Sequence, residues 1–255
     1  MLSNIQRFKD AHRGESCYLI GNGVSIKWFD LAAFADKPAI PCTFIPFHND
    51  FNKLNVKYLL MAEPWCFSPV VRTGSPAKII IREPIMRRYR EIIKKYREIE
   101  FFIHLSNYPF LRARNINYLY RDVYDDRLPA DFITRRINAF HGSLRTSVFL
   151  AIYLGFAHCY LVGYDYTHVP SRNSHFYDKG YGIFHAHPDH EKEFFKIASE
   201  FINITTITLD GSSDCIDAVT YKEYTGRKPV FRENTEIIDK RYLKVLSTDP
   251  VYSIY

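Results

Sequence analysis

Two stretches of this sequence carry residue types at spacings that could do chemistry. The first runs from Cys17 to Lys27, a strand pattern that leads into Gly21-Asn22-Gly23 and then into helical spacing. Gly21 and Gly23 have no Cβ, so the backbone there can turn tightly and approach a ligand. A helix that starts just after them aims its free N–H groups and positive dipole end at the turn, which suits a phosphate. Asn22 and Ser25 add side-chain donors. The turn is not a Rossmann G-x-G-x-x-G, because Ile26 stands where the third glycine belongs, and it lacks the Gly-Lys-Ser/Thr ending of a Walker A loop. Strand–Gly–helix turns also arise for steric reasons alone, so binding and purely structural readings both stay open at this point.

The second stretch is His185-Ala-His187-Pro-Asp189-His190. It fits H-x-H-x-D-H, a pattern in which neutral imidazoles and a carboxylate converge on Zn²⁺. Such hydrolases take further ligands from later in the chain, and no histidine follows His190. A mononuclear metal site stays open, and two readings without a metal remain. The histidines can sit on a solvated loop and cap the next helix, or one of them can act as a general base, since a pKa near 6.5 lets imidazole accept a hydroxyl proton at neutral pH.

The elements that must position these residues read as an α/β fold, a Rossmann-like, mostly parallel sheet flanked by helices with a small lid segment. Short apolar runs alternate with helical patterns, the signature of such a sheet. Strands are expected at Cys17–Ile20, Thr43–Pro46, Tyr58–Met61, Lys78–Ile81, Phe101–His104, Cys159–Val162 and Thr205–Leu209. Helices are expected at Ile26–Phe34, Pro84–Glu98, Asp131–Ala139, Leu144–Leu154 and Asp189–Phe201, the last announced by Pro188-Asp189. The run from Ser147 to Tyr164 is almost continuously apolar, and His158 and Gly155 divide it into a helix and a buried strand rather than a membrane span. From His168 to Asp189 the chain is rich in Ser, Asn, His, Gly and Tyr and lacks apolar periodicity; a loop of that length is commonly functional. The expected organisation is one catalytic domain over 1–224 with a lid at about 168–188, followed by an appendage over 225–255.

Composition narrows the classes. A chain of 255 residues buries enough apolar surface to need no disulfide or metal for folding. Aromatic residues reach 16%, and most are assigned to the core although such rings also suit nucleobases and sugars. The five cysteines are odd in number and form no CxxC pair, which points to reduced thiols and a cytoplasmic location. The charged N-terminus argues against a signal peptide. Net charge is +6, much of it from Arg87, Arg88, Arg90, Lys94, Lys95 and Arg97 at helical spacing. That pattern is first a solvated helix face; attachment to the inner face of a membrane is the alternative. No nucleic-acid motif is visible.

With its continuation, Ile-Gly-Asn-Gly-Val-Ser-Ile-Lys, the glycine turn resembles the Gly-Asn-Gly-Pro-Ser-Leu segment of the bacterial sialyltransferases of glycosyltransferase family 42. A second match, Gly142 to Tyr166, resembles their Thr-Ser-Gly helix, its Ala-Leu-Gly-Tyr end and the following Gly-x-Asp strand. The strand–turn–strand layout of 43–67, with Glu63-Pro64, is similar too. Val24, Gly142 and Leu144 depart from the family's Pro, Thr and Gly, and the family's Arg before Thr-Ser-Gly is missing. The resemblance implies transfer of a sugar, an acidic one from a CMP donor, to a glycan hydroxyl, with inversion and with no metal or cofactor beyond the donor itself. Asn22, Gly23 and Ser25 would lie along phosphate and ribose. Asn49, or His48 beside it, would match the family's turn asparagine. Ser143 would contact the nucleotide, and Asp165 would stand at a switch point of the sheet. In the lid, Tyr166, Tyr177 and Tyr181 are the implied phosphate partners and His187 or His185 the base. Three rivals stay open: a Mg²⁺-dependent pyrophosphokinase of the archaeal pterin type, using Asp165 and Glu63; a non-catalytic nucleotide-binding protein; and a metallohydrolase. The expected partners are a nucleotide-sugar and a glycan acceptor, with peripheral membrane contact and self-association left open.

Overall fold

A computed structural model describes residues 5–63, 67, 70–73, 78–81, 83–119, 142–185 and 191–246. Twelve strands follow one another along it: β1 (Ser16–Ile20), β2 (Ala39–Pro41), β3 (Tyr58–Met61), β4 (Val70–Thr73), β5 (Lys78–Ile81), β6 (Glu100–His104), β7 (Ile116–Leu119), β8 (His158–Val162), β9 (Ser171–Asn173), β10 (Ile183–His185), β11 (Asn203–Thr208) and β12 (Asp217–Thr220). The central sheet has the order β12-β11-β8-β1-β2 and is parallel throughout. A second parallel sheet, β3-β6-β7, continues it through the parallel bridges Ala39↔Val56 and Cys42↔Leu60. The chain therefore winds outward from β1 in one direction through β2 and β3, then returns to β8 on the other side of β1 and winds the opposite way. That reversal sets a topological switch point at the carboxyl ends of β1 and β8, the place where α/β proteins commonly hold ligands.

Parallel strands covered on both faces must be apolar on both, and β1 is buried from Cys17 to Ile20. Its side chains alternate between two cores. Tyr18 and Ile20 join Phe29, Phe34, Phe44, Phe101 and Val162 on one face. Cys17 and Leu19 join Phe102, Val148, Leu161 and Phe195 on the other. The aromatic excess goes mainly into these cores. Cys17, Cys42 and Cys159 are buried free thiols, and Cys215 is a half-buried one. Among the described residues no helix is long and apolar enough to cross a membrane.

Helix α1 (Glu83–Lys95) buries Met86, Tyr89, Ile92 and Ile93 and exposes Arg87, Arg90, Lys94 and Lys95, as its periodicity predicts. Helix α2 (Ser143–Tyr153) lies where it was expected. Helix α3 (Lys192–Ala198) is shorter than its expected span, and the start signal at Pro188-Asp189 falls outside the described residues, as does the expected helix Asp131–Ala139.

Three expectations are corrected. The strand placed at Thr43–Pro46 is instead β2, at Ala39–Pro41. Pro41 has no N–H to continue the ladder, and Pro46 opens a short 3₁₀ turn over Ile45–Phe47. The helix placed at Ile26–Phe34 is two 3₁₀ turns, Val24–Trp28 and Leu31–Phe34; the Asp30 carboxylate accepts from the Ala32 N–H and starts the second afresh. The strand at Lys78–Ile81 is no part of the parallel sheet and forms an antiparallel hairpin with β4.

The segment expected as an appendage packs into the domain as far as Leu246. Val230 and Arg232 donate backbone N–H groups to the Trp28 and Lys27 carbonyls, and Ile237, Ile238 and Leu246 enter the core.

Candidate functional site

Five of the residues singled out from sequence stand at the carboxyl ends of β1 and β8, and there they are bonded to protein. The Gly21 N–H donates to the Val162 carbonyl (2.8 Å) and the Gly23 N–H to the Gly163 carbonyl (2.7 Å). A Cβ at Gly23 would fall 2.6 Å from both the Asp165 carboxyl and the Gly163 oxygen, so the glycine is required by the approach of β8. Asp165, 2% exposed, accepts from the Ser25 backbone N–H at 2.7 Å and from the Ser25 hydroxyl. A carboxylate thus holds the anion position at the start of the Val24–Trp28 turn. Asn22 is buried and accepts from the Phe44 N–H through its side-chain oxygen (3.2 Å).

A second constellation lies beside the first and reaches the surface. Glu63, just past β3, accepts from the Ser143 hydroxyl at 2.5 Å and from the Thr43 hydroxyl at 2.6 Å. Ser143 is the first residue of α2, so the Glu63 carboxylate also meets the positive end of that helix. Glu63 and Ser143 are half-buried, whereas Thr43 is fully buried. Asn107 donates to the Glu63 backbone carbonyl (3.3 Å) and to that of His104 (3.2 Å), which fixes the chain that carries the carboxylate. Thr43 and Asn107 escaped the sequence reading. The position of Thr43 shortly after β2 was the available signal, hidden by placing that strand late.

Tyr164 donates to or accepts from Ser147 at 3.0 Å, and burial followed by the neighbouring Cys42 thiol pushes its pKa up. Tyr166 is half-buried against the edge of Tyr164. Asn49 stands apart from this cluster. Its side chain donates to the Glu236 carbonyl (3.2 Å), and its backbone N–H donates to Ile237.

The described part of the segment expected as a lid lies over the glycine turn. β9 pairs with β10, His175 bridges to Gly23, and the Phe176 N–H donates to the Asn22 carbonyl at 3.0 Å. Tyr177 is buried, stacked on His175 with centroids 4.8 Å apart and edge-on to Phe44. Tyr181 is 59% exposed against Trp28 and Phe231. His187, Asp189 and His190 lie outside the described residues, and His185 is the last residue of β10. Among the described residues no three His, Cys, Asp or Glu side chains gather to hold a metal ion.

A buried lysine missed from sequence anchors the lid. Lys27 has no exposed surface; its ammonium donates to the Gly180 carbonyl (2.8 Å) and pairs with Glu233 at 2.7 Å. Burial would raise the Glu233 pKa, but the Lys27 ammonium and two backbone N–H donors outweigh it and hold the carboxyl below its usual range. Glu233 also accepts from the Gly180 N–H, and Asn234 donates to the Tyr177 carbonyl. The C-terminal segment therefore straps the lid to the turn that follows β1.

No protein-family model matches the chain, and no curated protein matches it. Among solved structures it is similar to a variant of the sialyltransferase CST-II in complex with CMP, at 13% identity and a TM-score of 0.47 over 91% of this chain and 98% of that one. It is likewise similar to the sialyltransferase CstII from Campylobacter jejuni in complex with the substrate analogue CMP-3FNeuAc, at 13% identity and a TM-score of 0.44 over 92% and 100%. An alpha-2,3-sialyltransferase from Campylobacter jejuni in apo form gives 15% identity and a TM-score of 0.44 over 94% and 90%. At such identities and scores a likeness says nothing about the activity of this chain.

Proposed function

We propose that this chain is a glycosyltransferase that takes a nucleotide-activated sugar, with the nucleoside seated beside the carboxyl ends of β1, β2 and β3 and the start of α2. One observation carries the reading: Thr43 and Ser143, from two separate segments, hold Glu63 half-exposed at the carboxyl edge of a parallel sheet close to its reversal point. A carboxylate so placed suits the vicinal hydroxyls of a ribose, the use acidic residues serve in nucleotide-binding α/β folds. The phosphate then lies toward Tyr166 and the lid, away from the amides that Gly163 and Asp165 already occupy.

The resemblance of the glycine turn and the 142–166 segment to sialyltransferases supports CMP as the nucleotide and an acidic sugar as the cargo. On this reading the reaction inverts the sugar in one displacement without a metal. His187 or His185 takes the acceptor proton, and lid groups stabilise the charge that develops on phosphate. A covering lid would keep water from hydrolysing the donor. The pyrophosphokinase alternative asks Asp165 and Glu63 to turn toward one Mg²⁺, and each would have to give up its bonds to Ser25 or to Thr43 and Ser143.

Thermal shift with CMP, UDP, GDP and ATP, each with and without Mg²⁺, tests the proposal, because a ligand that binds the folded state alone raises Tm by mass action. CMP is expected to give the largest shift without Mg²⁺. A preference for ATP with Mg²⁺ would overturn the assignment in favour of the kinase. With a CMP-sugar donor, His187→Ala and His185→Ala variants separate binding from turnover; full activity in both removes histidine as the base.

A further inference from the structure

Five large apolar side chains are exposed among the described residues, and four of them fall in two short segments: Tyr181, Ile183 and Phe184 in one, Val230 in the other. Their exposures are 59%, 68%, 55% and 64%. The segments touch. Tyr181 lies 4.3 Å from Phe231 between centroids, Trp28 lies 4.9 Å from Phe231, and the Arg172 guanidinium stands over both Phe184 (4.2 Å) and Trp28 (5.2 Å). Phe184, Arg172, Trp28, Tyr181 and Phe231 thus form one connected apolar and aromatic surface on one side of the β9–β10 hairpin, with Val230 next to Phe231, while Ile183, the neighbour of Phe184 in β10, faces the other side. Single exposed apolar residues are ordinary, but a cluster of this kind marks a contact surface.

Charge decides what it contacts. Residues 179–184 and 227–232 contain Lys179, Arg227, Lys228 and Arg232 and no acidic residue. Arg227, Arg232 and Arg172 are already paired with Asp30, Asp50 and Asp210, the flanking Glu233 is paired with Lys27, and the flanking Asp178 accepts from Ser174 and His175, so the exposed Lys179 and Lys228 are the cations this face presents. An aliphatic tip beside Trp, Tyr and Phe, rimmed by lysine and arginine, matches the chemistry of a bilayer's headgroup boundary, where amphipathic rings sit at the interface and basic side chains meet anionic lipid. We infer that this face is a lipid-binding surface: Phe184, Tyr181 and Val230 enter the interface of an anionic bilayer while Lys179 and Lys228 meet its phosphates. It is a different surface from the basic face of α1, and the inference holds whatever reaction the chain carries out.

The test is co-sedimentation of the full chain with vesicles of phosphatidylcholine alone and of an equal mixture with phosphatidylglycerol, at low and high salt. Binding is expected to the mixed vesicles, weakened by salt. Tyr181→Glu/Phe184→Glu should weaken it at least about tenfold, because the burial of two apolar side chains is lost and negative charge is added. Arg87→Glu/Arg90→Glu on α1 should change it by less than about twofold. Because the three tips are exposed, these variants should keep the parent's circular dichroism; if the hairpin variant does not, Val230→Asp carries the test. Four results each overturn the inference: no binding to mixed vesicles, binding untouched by the hairpin and Val230 changes, loss in the α1 variant instead, or a wild-type dimer that the hairpin change disperses.

Discussion

Asp165 gives both carboxylate oxygens to Ser25, a use that no reading of residue types could have assigned to it. From sequence it is an acid at the end of a strand, and whether it faces ligand or protein depends on the register of β8 against β1. The register seats it beside Gly23. Ser25→Ala would leave a buried carboxylate with one donor fewer and should cost about 2 kcal/mol of unfolding free energy, read by denaturant titration. Gly23→Ala has ordinary dihedrals but no room, and should cost about 1–3 kcal/mol by overpacking. Glu63 is a different kind of residue. Glu63→Gln keeps its shape and half-exposure while weakening acceptance from hydroxyls, so it should leave Tm nearly unchanged and weaken CMP binding about tenfold in a calorimetric titration. Equal affinity in the variant would remove the ribose role from Glu63.

At the scale of elements, the strands were readable where burial on both faces forces unbroken apolar runs. β1, β3, β6 and β8 fall within a residue of their expected places. What could not be read depends on partners distant in sequence. The break between the two 3₁₀ turns after β1 rests on a side chain, Asp30, that caps instead of continuing a helix. β12 is short and half-exposed, and only its pairing with β11 makes it a strand. The same limit hid Lys27, which reads as one more surface lysine until Glu233 and Gly180 close around it. Lys27→Met should leave the Gly180 carbonyl without its ammonium donor and Glu233 without its cation. Because Glu233 is about a third exposed and can be hydrated, the loss should be smaller than the ~3–5 kcal/mol of a fully buried pair. The sharper readout is local: faster hydrogen exchange over residues 174–182 with little change in β8, whereas uniform acceleration would mean that Lys27 supports the whole domain.

At the scale of the whole molecule, His48 links three parts of the chain: its own turn, Phe176 of the lid and Ile238 of the C-terminal segment. It is buried, its Nδ1 accepts from the Asp50 N–H at 3.0 Å, and its Nε2 has no hydrogen-bond partner among the described residues. Burial, and then the positive charge of Arg232, lower its pKa to about 4. The unfolded chain binds this proton below pH about 6.5 and the folded chain only near 4, so its contribution is complete above about 6.5 and is lost as pH falls through that window. The loss is of the order of 3 kcal/mol. His48→Phe should flatten the fall in stability between pH 6.5 and 4 in urea titrations. An unchanged slope would mean that other groups govern it.

The reversal of strand order around β1 has a consequence for how the chain comes into being. β1 precedes the other described strands in the sequence, yet it lies in mid-sheet, and one of its two neighbours, β8, is synthesised roughly 140 residues later. Until that neighbour leaves the ribosome, one edge of an apolar strand stands unsatisfied, an open template for pairing with other chains. A nascent chain halted before His158 would thus be prone to aggregate.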